Sequence, residues 1–268
     1  MLQTWWVLAV LLPSVARGQA PAYSAASMVN ASNYTRGPFA PNSIVTIFGS
    51  GLARSSQGLT AGDIQNNTLP VELNSTRVYV MDSPAPLLYV SDGQVNFLVP
   101  SDQLDGDVKI RVFREGVTGP EITVTLVDAA PALFQTATGY AIAAHLDNSL
   151  IAPGSPAQAG EIIVVYACGL GRTQPNPAPG EIPQNAAAIQ RLSDLKVYLG
   201  GTASDPASIL YAGLTPGSPG LYQINLVLPD SLDTDPEIRV AIADQSSPAG
   251  LKLAVQAGGA QLFPDRTR

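Results

Sequence analysis

One heptapeptide occurs twice in this chain, and it constrains the fold more than any other feature. Gln94–Pro100 reads QVNFLVP and Gln223–Pro229 reads QINLVLP. Polar and apolar residues alternate in each copy, and a proline, which cannot donate to a sheet ladder, closes it. Each copy therefore reads as a β-strand with a hard stop. The flanks repeat as well: Leu87–Val90 (LLYV) and Ile209–Ala212 (ILYA), Arg77–Met81 (RVYVM) and Lys196–Leu199 (KVYL), Val108–Phe113 (VKIRVF) and Glu237–Ile242 (EIRVAI). Upstream, SIVTIFGSGLA is answered by EIIVVYACGLG. Leu52 aligns with Leu170, Tyr89 with Tyr211 and Gln94 with Gln223, so the separation grows from 118 to 122 to 129 residues. The growth falls only between strands, where insertions such as Thr215–Gly220 (TPGSPG) are tolerated. The spacing predicts a duplicated unit of about seven short strands, a β-sandwich pattern.

In Ile110 and its neighbours, apolar Val108, Ile110 and Val112 alternate with Lys109 and Arg111, which predicts one buried and one wet face. The same alternation at Ile122, Val124 and Leu126, and at Leu251, Leu253 and Val255, predicts the last strand of each unit. Asp128–Phe134 (DAAPALF) is a short apolar crossing, so the two sandwiches are expected to pack end to end with limited freedom. Tyr140–Ile151 predicts an extra hairpin turning at Asp147-Asn148. The expected organisation is residues 1–19 as a signal peptide, 20–130 as the first sandwich, and 131–268 as the second with that hairpin at its start. In the leader, Trp5–Leu12 (WWVLAVLL) is too short to cross a bilayer. Ala16 and Gly18 sit at the spacing for cleavage before Gln19. No later stretch is apolar enough to act as a membrane anchor.

Composition narrows the function. Charged residues are 13 % of the chain, about half the ~25 % usual in globular proteins. The formal net charge is -7, with three lysines, Lys109, Lys196 and Lys252. Such a surface repels phosphate backbones and offers no basic patch to anionic lipid, so neither nucleic acid nor membrane is an expected partner.

Catalytic constellations are scarce. The one histidine, His145, sits beside the predicted hairpin turn, and Ser50 in FGSGLA lacks the spacing of a nucleophile elbow. The acids lie in turns and form no pair set in apolar surroundings, as glycoside hydrolysis requires. Cys168 stands alone; it reads as a small buried hydrophobe, with no basic neighbour in sequence to lower its pKa. One Cys and one His cannot close a zinc site. Asp102, Asp105 and Asp107 follow the first heptapeptide, and Asp230, Asp233 and Asp235 follow the second. These are the calcium candidates, since calcium takes six to eight oxygens, although neither segment has EF-hand spacing and aspartate also suits solvated turns. No other cofactor is expected. Four Asn-X-Ser/Thr tripeptides begin at Asn30, Asn33, Asn66 and Asn74.

For binding, Tyr79 and Tyr198 hold matching positions, as do Tyr89 and Tyr211. Exposed aromatic faces with polar neighbours suit sugars, while core or corner packing with a bonded hydroxyl is the structural alternative. Both tryptophans, Trp5 and Trp6, belong to the predicted leader. The long polar loops Arg54–Leu69 and Arg172–Arg191 are the other surfaces expected to meet partners.

The series SIVTIFGSGLA, APLLYVSDGQVNFLVP, APALF, LDNSLIAPGSPAQAGEIIVVYACGLG, ILYAGL and GLYQINLVLP resembles the Solibacter-type uncharacterised C-terminal domain family of secreted acidobacterial proteins. The opening strand and glycine turn are also similar to the IPT/TIG class of immunoglobulin-like domains. The resemblance implies extracellular immunoglobulin-like β-sandwich modules and carries no catalytic residue. The expectation is therefore an all-β protein of two tandem immunoglobulin-like sandwiches. Its role is a secreted, non-catalytic adhesion, scaffold or recognition module facing a protein or polysaccharide at the cell exterior. The alternative is a carbohydrate-binding module accessory to extracellular polymer degradation.

Overall fold

The computed structural model describes residues 19–257, so the expected leader, apart from its last residue, lies outside the described residues. The chain is all-β. Its first ten strands are β1 (Met28–Asn30), β2 (Ile44–Phe48), β3 (Gln57–Gly58), β4 (Thr76–Val80), β5 (Ser83–Ala85), β6 (Leu87–Val90), β7 (Gln94–Leu98), β8 (Gly106–Arg114), β9 (Val117–Thr118) and β10 (Ile122–Leu126). They form a sheet ordered β1-β2-β7-β6-β3 and a second ordered β10-β8-β4-β5, with β9 beside β8. Twelve more strands follow. They are β11 (Ala132–Leu133), β12 (Ala143–Ala144), β13 (Leu150–Ile151), β14 (Ile162–Cys168), β15 (Thr173–Gln174), β16 (Ala187–Ile189), β17 (Leu195–Leu199), β18 (Thr202–Ala203), β19 (Ile209–Leu214), β20 (Tyr222–Val227), β21 (Ile238–Ile242) and β22 (Gln245–Ser246). One sheet runs β13-β12-β14-β20-β19-β16-β15 with β11 on β14, and the other runs β18-β17-β21-β22. No helix among the described residues is long and apolar enough to cross a membrane.

The duplication read from the heptapeptide is present in the register. β7 pairs with β2, placing Gln94 opposite Phe48, and β20 pairs with β14, placing Gln223 opposite Tyr166. Both partner strands of the heptapeptides carry a bulge at the same place, at Leu88 in β6 and Leu210 in β19. The extra residue keeps each ladder twisted without reversing which face is apolar.

Inward-facing residues of each sheet pair make separate cores. One gathers Val45, Ile47, Val78, Val80, Val95, Phe97, Ile110 and Val112. The other gathers Ile163, Val165, Val197, Leu199, Ile224, Leu226, Ile238 and Val240. Each fully buried aliphatic or aromatic side chain contributes about 1.5–3 kcal/mol, so neither set of sheets needs a staple to fold.

Two expectations differ from the structure. Leu251, Leu253 and Val255 point into the second core, but their segment is not a ladder strand. Lys252 bridges both Tyr140 and Glu237, and Val255 bridges Ala157. The segment threads between elements, contributing single bridges while its apolar side chains still fill the core. The long loops, exposed over much of their length, also pack on one another at one place. Thr68 bridges Glu181, Leu69 N–H donates to Gly180 O (2.9 Å) and Ile182 N–H donates to Asn67 O (2.9 Å). Leu69, Leu98 and Ile182, with Ile44, Leu59, Ile64 and Leu88 against them, make a third small cluster where the loops meet. Nearby, Arg172 reaches Asp105 (3.5 Å) and Asp128 (3.1 Å), and Arg191 holds the other oxygen of Asp128 (3.1 Å). Contact between the two sets of sheets thus extends well beyond the short connector.

Candidate functional site

The six aspartates do not converge. Asp105 faces Arg172, Asp107 accepts the Thr125 hydroxyl (2.8 Å), and Asp102 accepts from Gln103 (3.4 Å). In the second turn Asp235 accepts the Tyr140 hydroxyl (2.8 Å) and Val255 N–H (3.3 Å), while Asp233 lines a recess with Ser231 and Thr202. Asp230 lies against Gly160. Among the described residues no group of three or more His, Cys, Asp or Glu side chains is placed to hold a metal ion. Proximity in sequence does not gather these carboxylates, because Asp105, Asp107 and Asp235 each meet a different partner distant in sequence.

His145 Nδ1 is 2.5 Å from Glu161 Oε1, and its Nε2 is 3.3 Å from Ser155 O, a carbonyl rather than a nucleophile. Ser50 is paired through its backbone with Ala22, far along the chain from this hairpin. Cys168 is wholly buried; Ile44 N–H donates to its Sγ at 3.2 Å, and burial pushes the thiol pKa up to about 11. A thiol held protonated in this way is a packing element.

The histidine makes a clear titration prediction. The hydrogen bond to Glu161 raises its pKa above the ordinary 6.5, against a smaller opposing effect of burial. A raised folded-state value means the stabilisation of the hairpin is fully present below 6.5 and is lost as pH rises through the folded value. NMR titration of the imidazole should give a midpoint above 6.5, and Glu161→Gln should move it down. A midpoint unchanged by that substitution would remove the ion pair from the account.

The tyrosine pairs separate sharply. Tyr79 lies opposite Arg111 across β4 and β8, and Tyr198 lies opposite Arg239 across β17 and β21, at equivalent places in the β10-β8-β4-β5 and β18-β17-β21-β22 sheets. The first pair is closed. The Arg111 guanidinium sits over the Tyr79 ring, 5.4 Å from its centroid, and is drawn to Asp82 (3.3 Å) and Glu121 (3.5 Å). The second pair is open. The β21–β22 hairpin pulls Arg239 aside, through bonds to Ser246 Oγ (2.9 Å) and Ser247 O (3.3 Å). A groove of about 380 Å³ results, lined by Tyr198, Glu237, Arg239, Asp244, Gln245 and Ser246 among others. An aromatic face beside planar carboxylate, amide and guanidinium groups is a surface that can stack on a sugar ring and bond vicinal hydroxyls.

The second tyrosine pair belongs to the larger sheets. Tyr89, Asn96, Gln94 and Phe48 lie in neighbouring register positions, as do Tyr211, Asn225, Gln223 and Tyr166. Gln94 Nε2 donates to Asn96 Oδ1 (2.9 Å), and Gln223 Nε2 repeats the bond to Asn225 Oδ1 (3.1 Å). Tyr211 is structural: its hydroxyl donates to Leu214 O (2.8 Å) and accepts from Ala187 N–H (3.1 Å). The alternation that marked both heptapeptides as strands is the signal that could have revealed these outward amides, because a strand buried on one face aims every second residue outward.

The Asn-X-Ser/Thr tripeptides are used locally. Asn30 is buried and its Oδ1 accepts from Ser32; Asn33 Oδ1 accepts from Thr35; Asn74 Nδ2 donates to Ser55. Asn66 is exposed in a left-handed turn.

Residues 29–127 match the IPT/TIG domain family. No curated protein matches the sequence. Among solved structures the chain is similar to a surface glycan-binding protein of the Bacteroides ovatus mixed-linkage glucan utilization locus, in complex with a mixed-linkage heptasaccharide. That match has 12 % identity and a TM-score of 0.30, over 83 % of this chain and 45 % of that one. A surface glycan-binding protein from Prevotella bryantii matches at 14 % identity and a TM-score of 0.27, over 88 % of this chain and 42 % of that one. The chain thus spans less than half the length of these first matches.

Proposed function

We propose that this chain is a non-catalytic extracellular recognition module that binds glycan in the groove beside Tyr198. The observation that carries the reading is the contrast between two equivalent tyrosines. Tyr79 is capped by its arginine, whereas Tyr198 opens onto a groove whose remaining walls include Glu237, Arg239, Asp244 and Gln245. Those side chains are planar and bidentate, which fits pairs of adjacent hydroxyls. The reading makes the protein a secreted member of the Solibacter-type family. It is supported by the motif series spread over most of the sequence and by the leader-like Trp5–Leu12 run.

A glycan array followed by calorimetric titration tests it. Tyr198→Ala should weaken the bound glycan by about tenfold or more, equivalent to roughly 1.4 kcal/mol. Tyr79→Ala, whose ring face is already occupied by Arg111, should leave affinity unchanged. Equal affinity of wild type and Tyr198→Ala for every bound glycan would discard the groove.

A further inference from the structure

We infer that the β1-β2-β7-β6-β3 sheet carries a second glycan site, an uncharged shelf that takes a neutral oligosaccharide. The inference rests on the reading of the chain as a glycan-binding module, but it uses different residues from the Tyr198 groove and a different sheet.

The shelf begins with two rings that the fold leaves in solvent. Tyr34 is 63 % exposed and Phe48 37 % exposed, and their centroids lie 6.3 Å apart with planes inclined by 31°. They are the two aromatic rings among the exposed large apolar side chains of the described residues, and they lie side by side rather than scattered. Tyr34 also occupies the left-handed region, with φ of 59°. That conformation is unfavourable for a bulky side chain, and the tight turn from Asn30 to Thr35 holds it there. Strain of this kind, spent to present a ring outward, points to recognition.

Beside the rings, Gln94 pairs with Phe48, and Asn96 pairs with Thr46 and Tyr89. Asn96 Oδ1 already accepts from Thr46 Oγ1 (3.0 Å) and Gln94 Nε2 (2.9 Å), which fixes both amides in place. Their other ends, Asn96 Nδ2 and Gln94 Oε1, make no hydrogen bond to the described residues. A ligand lying across the strands meets an aromatic shelf followed by a donor and an acceptor in fixed positions. Phe48, Gln94, Asn96, Tyr89 and Tyr34 carry no charge at neutral pH, and Thr46 beneath them is buried and only orients Asn96. The complementary ligand is therefore a ring with an apolar face and neutral hydroxyl edges, not a uronate, whose carboxylate would find no cation among these five residues.

The equivalent row of the other large sheet keeps the amide pair, Gln223 and Asn225, but not the exposed ring pair. Tyr211 there is bonded into its own strand through Leu214 O and Ala187 N–H, and Tyr166 is not among the exposed large apolar side chains. The paired exposed rings thus belong to the first sheet pair and the groove to the second, which gives one chain two dissimilar sites.

The test uses the full chain with cellohexaose, mannohexaose and xylohexaose as neutral probes and a galacturonate hexamer as the charged one, read by calorimetry, with thermal melts alongside. Tyr34→Ala and Phe48→Ala should each weaken one neutral hexamer by about tenfold at unchanged melting temperature, and Tyr34→Phe should keep affinity. The galacturonate hexamer should not compete for that site. If Tyr198→Ala removes all binding while both shelf variants bind as wild type, the shelf is overturned and the groove stands. Loss in the shelf variants alone supports the shelf and removes the groove. Affinity lost at both places supports both, with two sites in the titration. Binding of none of the neutral hexamers overturns the shelf.

Discussion

Gly169→Ala should destabilise this protein far more than Gly51→Ala, although the two glycines are equivalent in the repeat. Both sit at positive φ, +66° for Gly51 and +73° for Gly169, just after matching strands. An L-residue there costs about 1–2 kcal/mol in either place. Their surroundings differ. A Cβ on Gly51 would crowd only the Arg114 Nη1 atom, at 3.2 Å; that guanidinium is buried and bonded to Gly51 O and Gln19 O, but a few tenths of an ångström of give at a side-chain end relieves the contact. A Cβ on Gly169 would lie 2.3 Å from the carbonyl oxygen of Ala130, in the connector between the two sheet pairs. That connector is held from its other side, because Ala130 N–H donates to Gly169 O (2.8 Å). The strand end and connector must part, and the packing of Ser43 and buried Cys168 beside them is disturbed. The expected cost is about 3 kcal/mol or more for Gly169→Ala. At about 2–4 °C per kcal/mol for a chain of this size, that is a loss near 10 °C, against about 3 °C for Gly51→Ala. Equal shifts in a thermal melt would mean that the approach of the connector to the strand end is not as close as described.

The contrast also shows what sequence can and cannot carry. Alternation and repetition made the strands of both units legible, because the side-chain period of a strand is fixed by its backbone. The equivalence of Gln94 and Gln223 was legible in that repeat, whereas the pairing of β2 with β7 and of β14 with β20 is set by tertiary packing and comes from the structure alone. What the repeat does not carry is the difference between copies. Nothing in RVYVM and KVYL says that Arg111 will fold over Tyr79 while Arg239 is drawn to Ser246 and Ser247, since the choice is made by the hairpin beyond. The aspartate turns are read apart for a related reason: Asp105 and Asp235 are held by Arg172 and Tyr140, partners distant in sequence. The polar loops looked free because each, taken alone, has no apolar periodicity. The burial of Leu69 and Ile182 arises only where the loops meet one another.

That meeting sets up the second large effect. Ile182→Asp should separate the unfolding of the two sheet pairs. Ile182 is 8 % exposed and packs with Leu69 and Leu98, where the loop between β15 and β16 crosses the loop between β3 and β4. A carboxylate at this point would be buried without a partner, since Arg172 and Arg191 are already engaged with Asp105, Asp128 and Asp194. Such a group costs several kcal/mol unless it escapes to water. The cheapest escape is to open the seam, with loss of the Asn67–Ile182 and Leu69–Gly180 backbone bonds. Neither main core is touched, because each closes within its own pair of sheets. Scanning calorimetry should therefore show one transition in the wild type and two in Ile182→Asp, while Ile182→Val, which keeps the apolar contact, should retain one. A single transition at the wild-type midpoint in Ile182→Asp would mean that the loops merely touch and that the coupling runs through the Asp128–Phe134 connector alone.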